Sequence, residues 1–226
     1  MRFVFLACIL FSTQAHALIN GAPLKGYRDL IRIALGAGES ICTGFFVNPT
    51  TVITAAHCFY SYEDGRLLAV SSLETKDSEV LNLKVQKLIP HPEYYTGGWS
   101  PNDVGIIKTS PNKLFRGSFP LSDATPAILG SARMMGAGKI RLEPKQYGRS
   151  EGSIYYFRFG KFLYSLGGTS VAPNDSGGPL ISDNKVLGIL SKSTVSMAEG
   201  TIFPALSVMT PLWSVENWKF IQENLK

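Results

Sequence analysis

PNDSGGPL, residues 173 to 180, sets Ser176 between an acid and two glycines. A serine beside two glycines is consistent with an ordinary turn, and position by position nothing more is required. The whole string is harder to dismiss. At average residue usage, DSGGP arises by chance with a probability on the order of 10⁻⁶ per start position. Two further segments stand upstream of it, TAAHC at 54 to 58 and NDVGIIK at 102 to 108. Together the three supply His57, Asp103 and Ser176 in that order. A serine hydroxyl is a poor nucleophile until a base takes its proton, and that base works best when a buried carboxylate fixes its tautomer and stabilises its cation. Acyl transfer is the chemistry for which this combination is suited.

The start of the chain has its own pattern. Met1 and Arg2 precede an apolar run from Phe3 to Phe11, and Ala15-His16-Ala17 offers small residues at the cleavage-determining positions. This order is that of a secretory signal peptide over residues 1–17, cut after Ala17. A buried N-terminal strand, a lipoprotein anchored at Cys8, and a cut after Ala15 that leaves His16-Ala17 as a two-residue activation peptide are the alternatives. The apolar run is too short for a spanning helix, and no later stretch approaches the ~20 apolar residues one needs. A secreted protein, extracellular or periplasmic, without stable membrane association is expected.

Composition narrows the partners. The full chain of 226 residues carries a formal charge of +5, which falls to +4 without Arg2. The basic residues are scattered, with no run or aromatic interleaving of the kind that tracks nucleic acid, so no nucleic-acid partner is expected. Cys42 and Cys58 remain after cleavage, and an exported chain with two cysteines most simply holds one disulfide, free thiols being the alternative. No cluster has zinc-site spacing. Glu74, Asp77 and Glu79 suggest either an acidic calcium loop or, more simply, an exposed turn. No metal and no cofactor is expected.

Alternating apolar residues dominate the rest. Leu81, Leu83 and Val85 share one face of an expected strand, as do Tyr155, Phe157 and Phe159. Further short strands are expected near 29–35, 44–54, 103–109, 128–136, 179–190 and 201–209, separated by Gly, Pro, Asn and Ser clusters. That pattern indicates an antiparallel barrel or sandwich. At the end, Val215, Trp218, Ile221 and Leu225 follow Ser214 at helical spacing, so a helix of about eleven residues capped by Ser214 is expected. The turn-rich stretch 110–126 is the best boundary between two domains, placed at 18–115 and 116–226.

TAAHC, DVGIIK and DSGGP in this order resemble the trypsin and chymotrypsin family of serine endopeptidases. LINGAP at 18–23 is similar to the family's activated N-terminus, and IPHPEY at 89–94 to its segment before the aspartate. The resemblance implies an all-β fold of two antiparallel six-stranded barrels with a C-terminal helix. It implies His57 as base and acid, Asp103 as its orienter, Ser176 as nucleophile, and an oxyanion site at the backbone N–H groups of Asn174 and Ser176. It also implies that Cys42 pairs with Cys58 and that the amine of Leu18 pairs with Asp175. A monomer acting on polypeptide substrates follows from the same likeness. A catalytically silent binding protein of this fold, or an esterase using the same triad, are the alternatives.

This chain departs from the family at two places. Asn174 stands where glycine is usual, and Lys192 and Ser193 replace a tryptophan and a glycine after VLGILS, on the strand from Ser191 that would pair with substrate. The same resemblance implies that the base of the specificity pocket falls on Ser170, with Ser193 and Ala205 on its walls. Without a carboxylate at Ser170 a buried cationic side chain has no partner. Cleavage after uncharged, small to medium apolar residues is therefore expected.

Overall fold

The computed structural model describes residues 22–23, 27–38, 40–75, 80–95, 100–137, 150–168, 174–193, 197–198, 201–202 and 206–225. Residues 1–17, expected as a signal peptide, lie outside them, as do Leu18, Ser170, Ala205, Asp77 and Glu79. In chain order the strands are β1 (Ala22–Pro23), β2 (Leu30–Leu35), β3 (Ser40–Asn48), β4 (Thr51–Thr54), β5 (Val70–Glu74), β6 (Val85–Pro90), β7 (Gly105–Thr109), β8 (Leu129–Gly136), β9 (Ser150–Phe159) and β10 (Phe162–Gly168). They continue with β11 (Pro179–Ser182), β12 (Lys185–Ser193), β13 (Met197–Ala198), β14 (Thr201–Ile202) and β15 (Ser207–Pro211), and the chain ends with helix α1 (Val215–Asn224).

These strands form two six-stranded antiparallel barrels. The first is a half-barrel in the order β5-β2-β3-β4-β7-β6. The second runs β9-β10-β15-β12-β11-β8 and closes because β8 also pairs with β9, with β1 added on the outer side of β9. A small hairpin, β13 with β14, stands apart from both.

Phe45 and Phe46 on β3 point to opposite faces and are both fully buried, so that strand is covered on both sides. One apolar cluster runs from Leu30, Ile53 and Ile107 of the first barrel to Ile189 of the second and on to Phe220 and Ile221 of α1. Ala132, Met134, Leu163, Leu180, Leu190 and Met209 belong to a separate cluster in the second barrel. The connection between barrels is held by a buried carboxylate. Asp29 accepts the backbone N–H groups of Arg116 and Ser118, and Phe119 then stacks on Tyr27.

Several sequence expectations shift in detail. The run expected as one strand over 44–54 is a hairpin of β3 and β4. Pro49 has no N–H to give, and the Asn48 side chain accepts the N–H of Thr50, which turns the chain. Leu81 and Leu83 do not lie in a strand, since the extended ladder begins only at Val85. The alternation of Tyr155, Phe157 and Phe159 does mark one face of β9, but that face points outward. Tyr155 and Phe159 are exposed while Ile154 and Tyr156 fill the barrel. Phe157 instead stacks on Tyr164 of the neighbouring β10. At the end of the chain, the Ser214 hydroxyl accepts the N–H of Asn217 and caps α1, which is ten residues long.

Candidate active site

His57 stands on a single 3₁₀ turn, Ala56–Phe59, directly after β4. All four residues of that turn are buried, and a disulfide from Cys58 to Cys42 of β3 anchors it. Closing a loop of this size stabilises the folded state by about 3 kcal/mol in the chain-entropy account. Cys42, His57 and Cys58 cluster closely enough to suggest a metal site, but the two sulfurs are bonded to each other and offer no thiolate.

Asp103 lies two residues before β7, the neighbour of β4 in the sheet, which brings its carboxylate beneath the 3₁₀ turn. Its Oδ1 accepts the backbone N–H of His57 at 2.8 Å, and Oδ2 lies 2.7 Å from the ring Nδ1. A carboxylate only accepts, so Nδ1 carries the hydrogen and Nε2 presents its lone pair. Asp103 is 1% exposed. Burial pushes its carboxyl up, but the His57 ring beside it and the hydrogen bonds from His57 and Ser191 together outweigh that and hold it below the usual carboxylate range.

Ser176 arrives from the second barrel, in the segment between β10 and β11. Its hydroxyl donates to the Ser191 carbonyl at 3.3 Å. Ser191, on β12, turns its own hydroxyl to Asp103 Oδ2 at 2.5 Å. One residue therefore joins the serine of one barrel to the aspartate and histidine of the other. The hydrogen bond of Ser176 runs to Ser191 and not to the His57 ring, the looser arrangement common in catalytic sites without substrate.

The backbone around Ser176 is shaped by close approach. Asn174 adopts φ +77, in the left-handed region, where asparagine is better tolerated than most L residues. Gly177 has φ +86, and a Cβ there would lie 2.2 Å from Thr54 Oγ1. The N–H groups of Gly177 and Gly178 are used, by Leu190 O and Asp175 O respectively. Those of Asn174 and Ser176 donate to no other described residue, which leaves two donors beside the hydroxyl. Asp175 is fully buried with its carboxyl against Gly136, where a Cβ would come within 2.1 Å of Oδ1. The amine expected to pair with it, at Leu18, lies outside the described residues. Ser193 ends β12 opposite Ser207, while Ser170 and Ala205 also lie outside the description.

Two contributors carry no signal in the sequence. Thr43 on β3 donates its hydroxyl to Asn174 O, accepts the N–H of Ala137 on that same oxygen, and gives its backbone N–H to Ser176 O. It thus braces the serine segment from the first barrel, across more than a hundred residues of chain. By sequence Ser191 stands only on a strand that would pair with substrate, and its bond to Asp103 emerges only when the barrels meet. Glu74, one of the three acids considered for a calcium loop, instead pairs with Arg32 and Ser72.

Known proteins resemble this chain in sequence and in fold. Residues 19–219 match the family described as Trypsin. Trypsin-1 of Salmo salar is 32% identical over 108 residues, which span 48% of this chain and 44% of the salmon protein. Trypsin eta of Drosophila melanogaster is 30% identical over 174 residues, 66% of each chain. Among solved structures, a Glu endopeptidase in complex with MPD superposes with a TM-score of 0.69 at 18% identity, over 94% of this chain and 97% of the other. The chain spans two thirds or less of the two trypsins it matches, and the structural likeness concerns the fold. No helix among the described residues is long and apolar enough to cross a membrane. By sequence match and by architecture, this chain belongs to the trypsin family of serine proteases.

Proposed function

We propose that the chain is a secreted endopeptidase that cleaves peptide bonds through a covalent acyl-enzyme on Ser176. The observation that carries this reading is the chain of hydrogen bonds from Ser176 through Ser191 to Asp103 and on to His57. It gathers a nucleophile, a buried carboxylate and an imidazole with Nε2 left to accept.

In this reading the Ser176 hydroxyl exchanges the Ser191 carbonyl for His57 Nε2 and attacks the substrate carbonyl carbon as its proton passes to the ring. Asp103 holds the ring in the required tautomer and stabilises the imidazolium. The oxyanion is met by the N–H groups of Asn174 and Ser176, which donate to no other group among the described residues. The ring then returns the proton to the departing amine as the C–N bond breaks. Water repeats the sequence on the acyl group, and Ser176 regains its proton.

Specificity follows from Ser170 at the pocket base, with Ser193 and Ala205 as walls. No carboxylate at Ser170 means no counter-charge for a buried Lys or Arg, so cleavage after uncharged small to medium apolar residues is expected. Export cuts the chain after Ala17 and frees Leu18, whose ammonium pairs with Asp175 and sets the oxyanion segment. No separate activating protease is then required. The disulfide fits an oxidising compartment.

A serine-directed phosphonate tests the core of this reading: covalent label on Ser176 and loss of hydrolysis are expected. A folded protein that takes no label and cuts nothing is a binding module of the same fold. Comparing a peptide amide with its ester separates a peptidase from an esterase. Mapping cut sites in a peptide mixture tests the pocket, and a strong preference for Arg or Lys would overturn it. N-terminal sequencing of the secreted protein is expected to read Leu-Ile-Asn-Gly, and a form retaining Met before Leu18 should hydrolyse poorly.

A further inference from the structure

The segment that ends at Asp103 is gripped from outside the first barrel. Helix α1 follows the second barrel, yet its first turns touch this segment at both ends. At the near end, Asn217 is fully buried, and its side-chain Nδ2 donates to Pro101 O at 2.9 Å and to Pro211 O at 2.6 Å. Pro101 lies two residues before Asp103. Pro211 is the last residue of β15. At the far end, His91 Nε2 meets the Glu216 carbonyl at 3.4 Å and the His91 ring packs edge-on against Phe220. His91 also gives its backbone N–H to Val104 O, directly after the aspartate.

The chemistry at position 217 is restrictive. Two carbonyl oxygens converge on one buried atom, which must therefore bear two hydrogens. Among side chains of this size only the asparagine amide supplies them. The reversed amide would set Oδ1 against both carbonyls. In the observed orientation Oδ1 is buried with no partner among the described residues, which is a cost. An apolar residue would have filled the site without it. A buried polar group with one end unsatisfied is explained when its other end fixes something that matters.

We propose that Asn217 is a positioning residue for Asp103: by tying the Pro101 carbonyl to the end of β15, it sets the height of the aspartate under His57 and makes the C-terminal helix part of the catalytic apparatus. The proposal rests on the triad reading above. It goes beyond that reading because Asn217 touches neither substrate nor any reacting atom.

The test compares purified Asn217→Leu with the parent and with Ile221→Val, a control that trims the buried face of the same helix. For Asn217→Leu, kcat falls about 10- to 100-fold, the scale of a sub-ångström to 1 Å misplacement, while KM changes little. The acid limb of the kcat/KM profile moves to lower pH, because an imidazolium that loses its carboxylate partner gives up its proton more readily. The low-field Nδ1–H resonance of His57 shifts upfield or broadens. Ile221→Val lowers the melting temperature and moves neither the limb nor the resonance. If the leucine variant does not fold, Asn217→Ser decides the matter: a shorter side chain with one donor cannot hold both carbonyls, and the same shift of the limb is expected. Loss of thermal stability with an unchanged limb and resonance makes Asn217 a structural residue only and overturns the proposal. A parent protein that neither hydrolyses peptides nor takes the phosphonate overturns the triad reading instead.

Discussion

Ser191 of the second barrel hydrogen-bonds Asp103 of the first, Oγ to Oδ2, while its carbonyl receives the hydroxyl of Ser176. The carboxylate that pairs with His57 inside the first barrel therefore gains a further hydrogen bond only when the two barrels are docked. Assembly of the site and docking of the barrels are one event.

Ser191→Ala should lower stability by about 1.5–3 kcal/mol, the range for a hydrogen bond to a charged group, and should reduce kcat. The sign with pH is fixed by Asp103, whose carboxyl is held below its unfolded value. Its contribution is present above the unfolded carboxylate pKa and lost as pH falls through the folded one. The gap between variant and parent in denaturant unfolding is therefore full at pH 7 and shrinks toward pH 3. An equal gap at both values would contradict this.

Gly136→Ala introduces a methyl group where the Asp175 carboxyl already lies, 2.1 Å from Oδ1. Either the fully buried aspartate moves or β8 does. Destabilisation of about 1–3 kcal/mol or more is expected from overpacking. Hydrolysis should fall at least tenfold because Asn174 and Ser176 flank the displaced residue. Parent-like kcat in the folded variant would separate Asp175 from the oxyanion segment.

Asn174 occupies left-handed backbone at φ +77. Asn174→Gly should retain hydrolysis and change stability by no more than ~1 kcal/mol, since glycine adopts this region without penalty. A β-branched residue has no such tolerance. Asn174→Val should lose about 1–2 kcal/mol and most of its activity, as judged by initial rates on a peptide amide.

His91 is buried between β6 and α1, and its Nδ1 accepts the N–H of Glu93. Burial pulls its pKa below 6.5, and the Glu216 carbonyl with the charges of Glu93 and Glu216 only partly offsets that. A depressed folded pKa gives stability that is complete above the unfolded value and lost as pH falls through the folded one. Stability should thus decline as pH drops below about 6.5. In His91→Asn, whose amide oxygen can still accept from Glu93, the slope between pH 6.5 and 5 should flatten. An unchanged slope assigns the loss to another group.

TAAHC, DVGIIK and DSGGP in this order carry the family and the two-barrel class, because each is a short local string whose residues must be adjacent, and they single out His57 and Asp103, which the structure joins by a hydrogen bond. The capped C-terminal helix was equally legible from the spacing of Val215, Trp218, Ile221 and Leu225. Faces of strands were not. Tyr155, Phe157 and Phe159 alternate as a core face would, yet the closed ring of the second barrel puts them on its outer side, with Tyr155 and Phe159 exposed, since alternation fixes which side chains share a side but not which side is inside. Cross-barrel contacts lay further beyond reach. Thr43, Ser191 and Asn217 acquire their roles from partners 131, 88 and 116 residues away in the chain, and no local pattern marks a threonine that will brace a serine segment or an asparagine that will hold a proline carbonyl. Strings of adjacent residues carry the family, whereas the contacts that bring Ser176 and Ser191 to Asp103 join segments far apart in the chain and exist only once both barrels have formed.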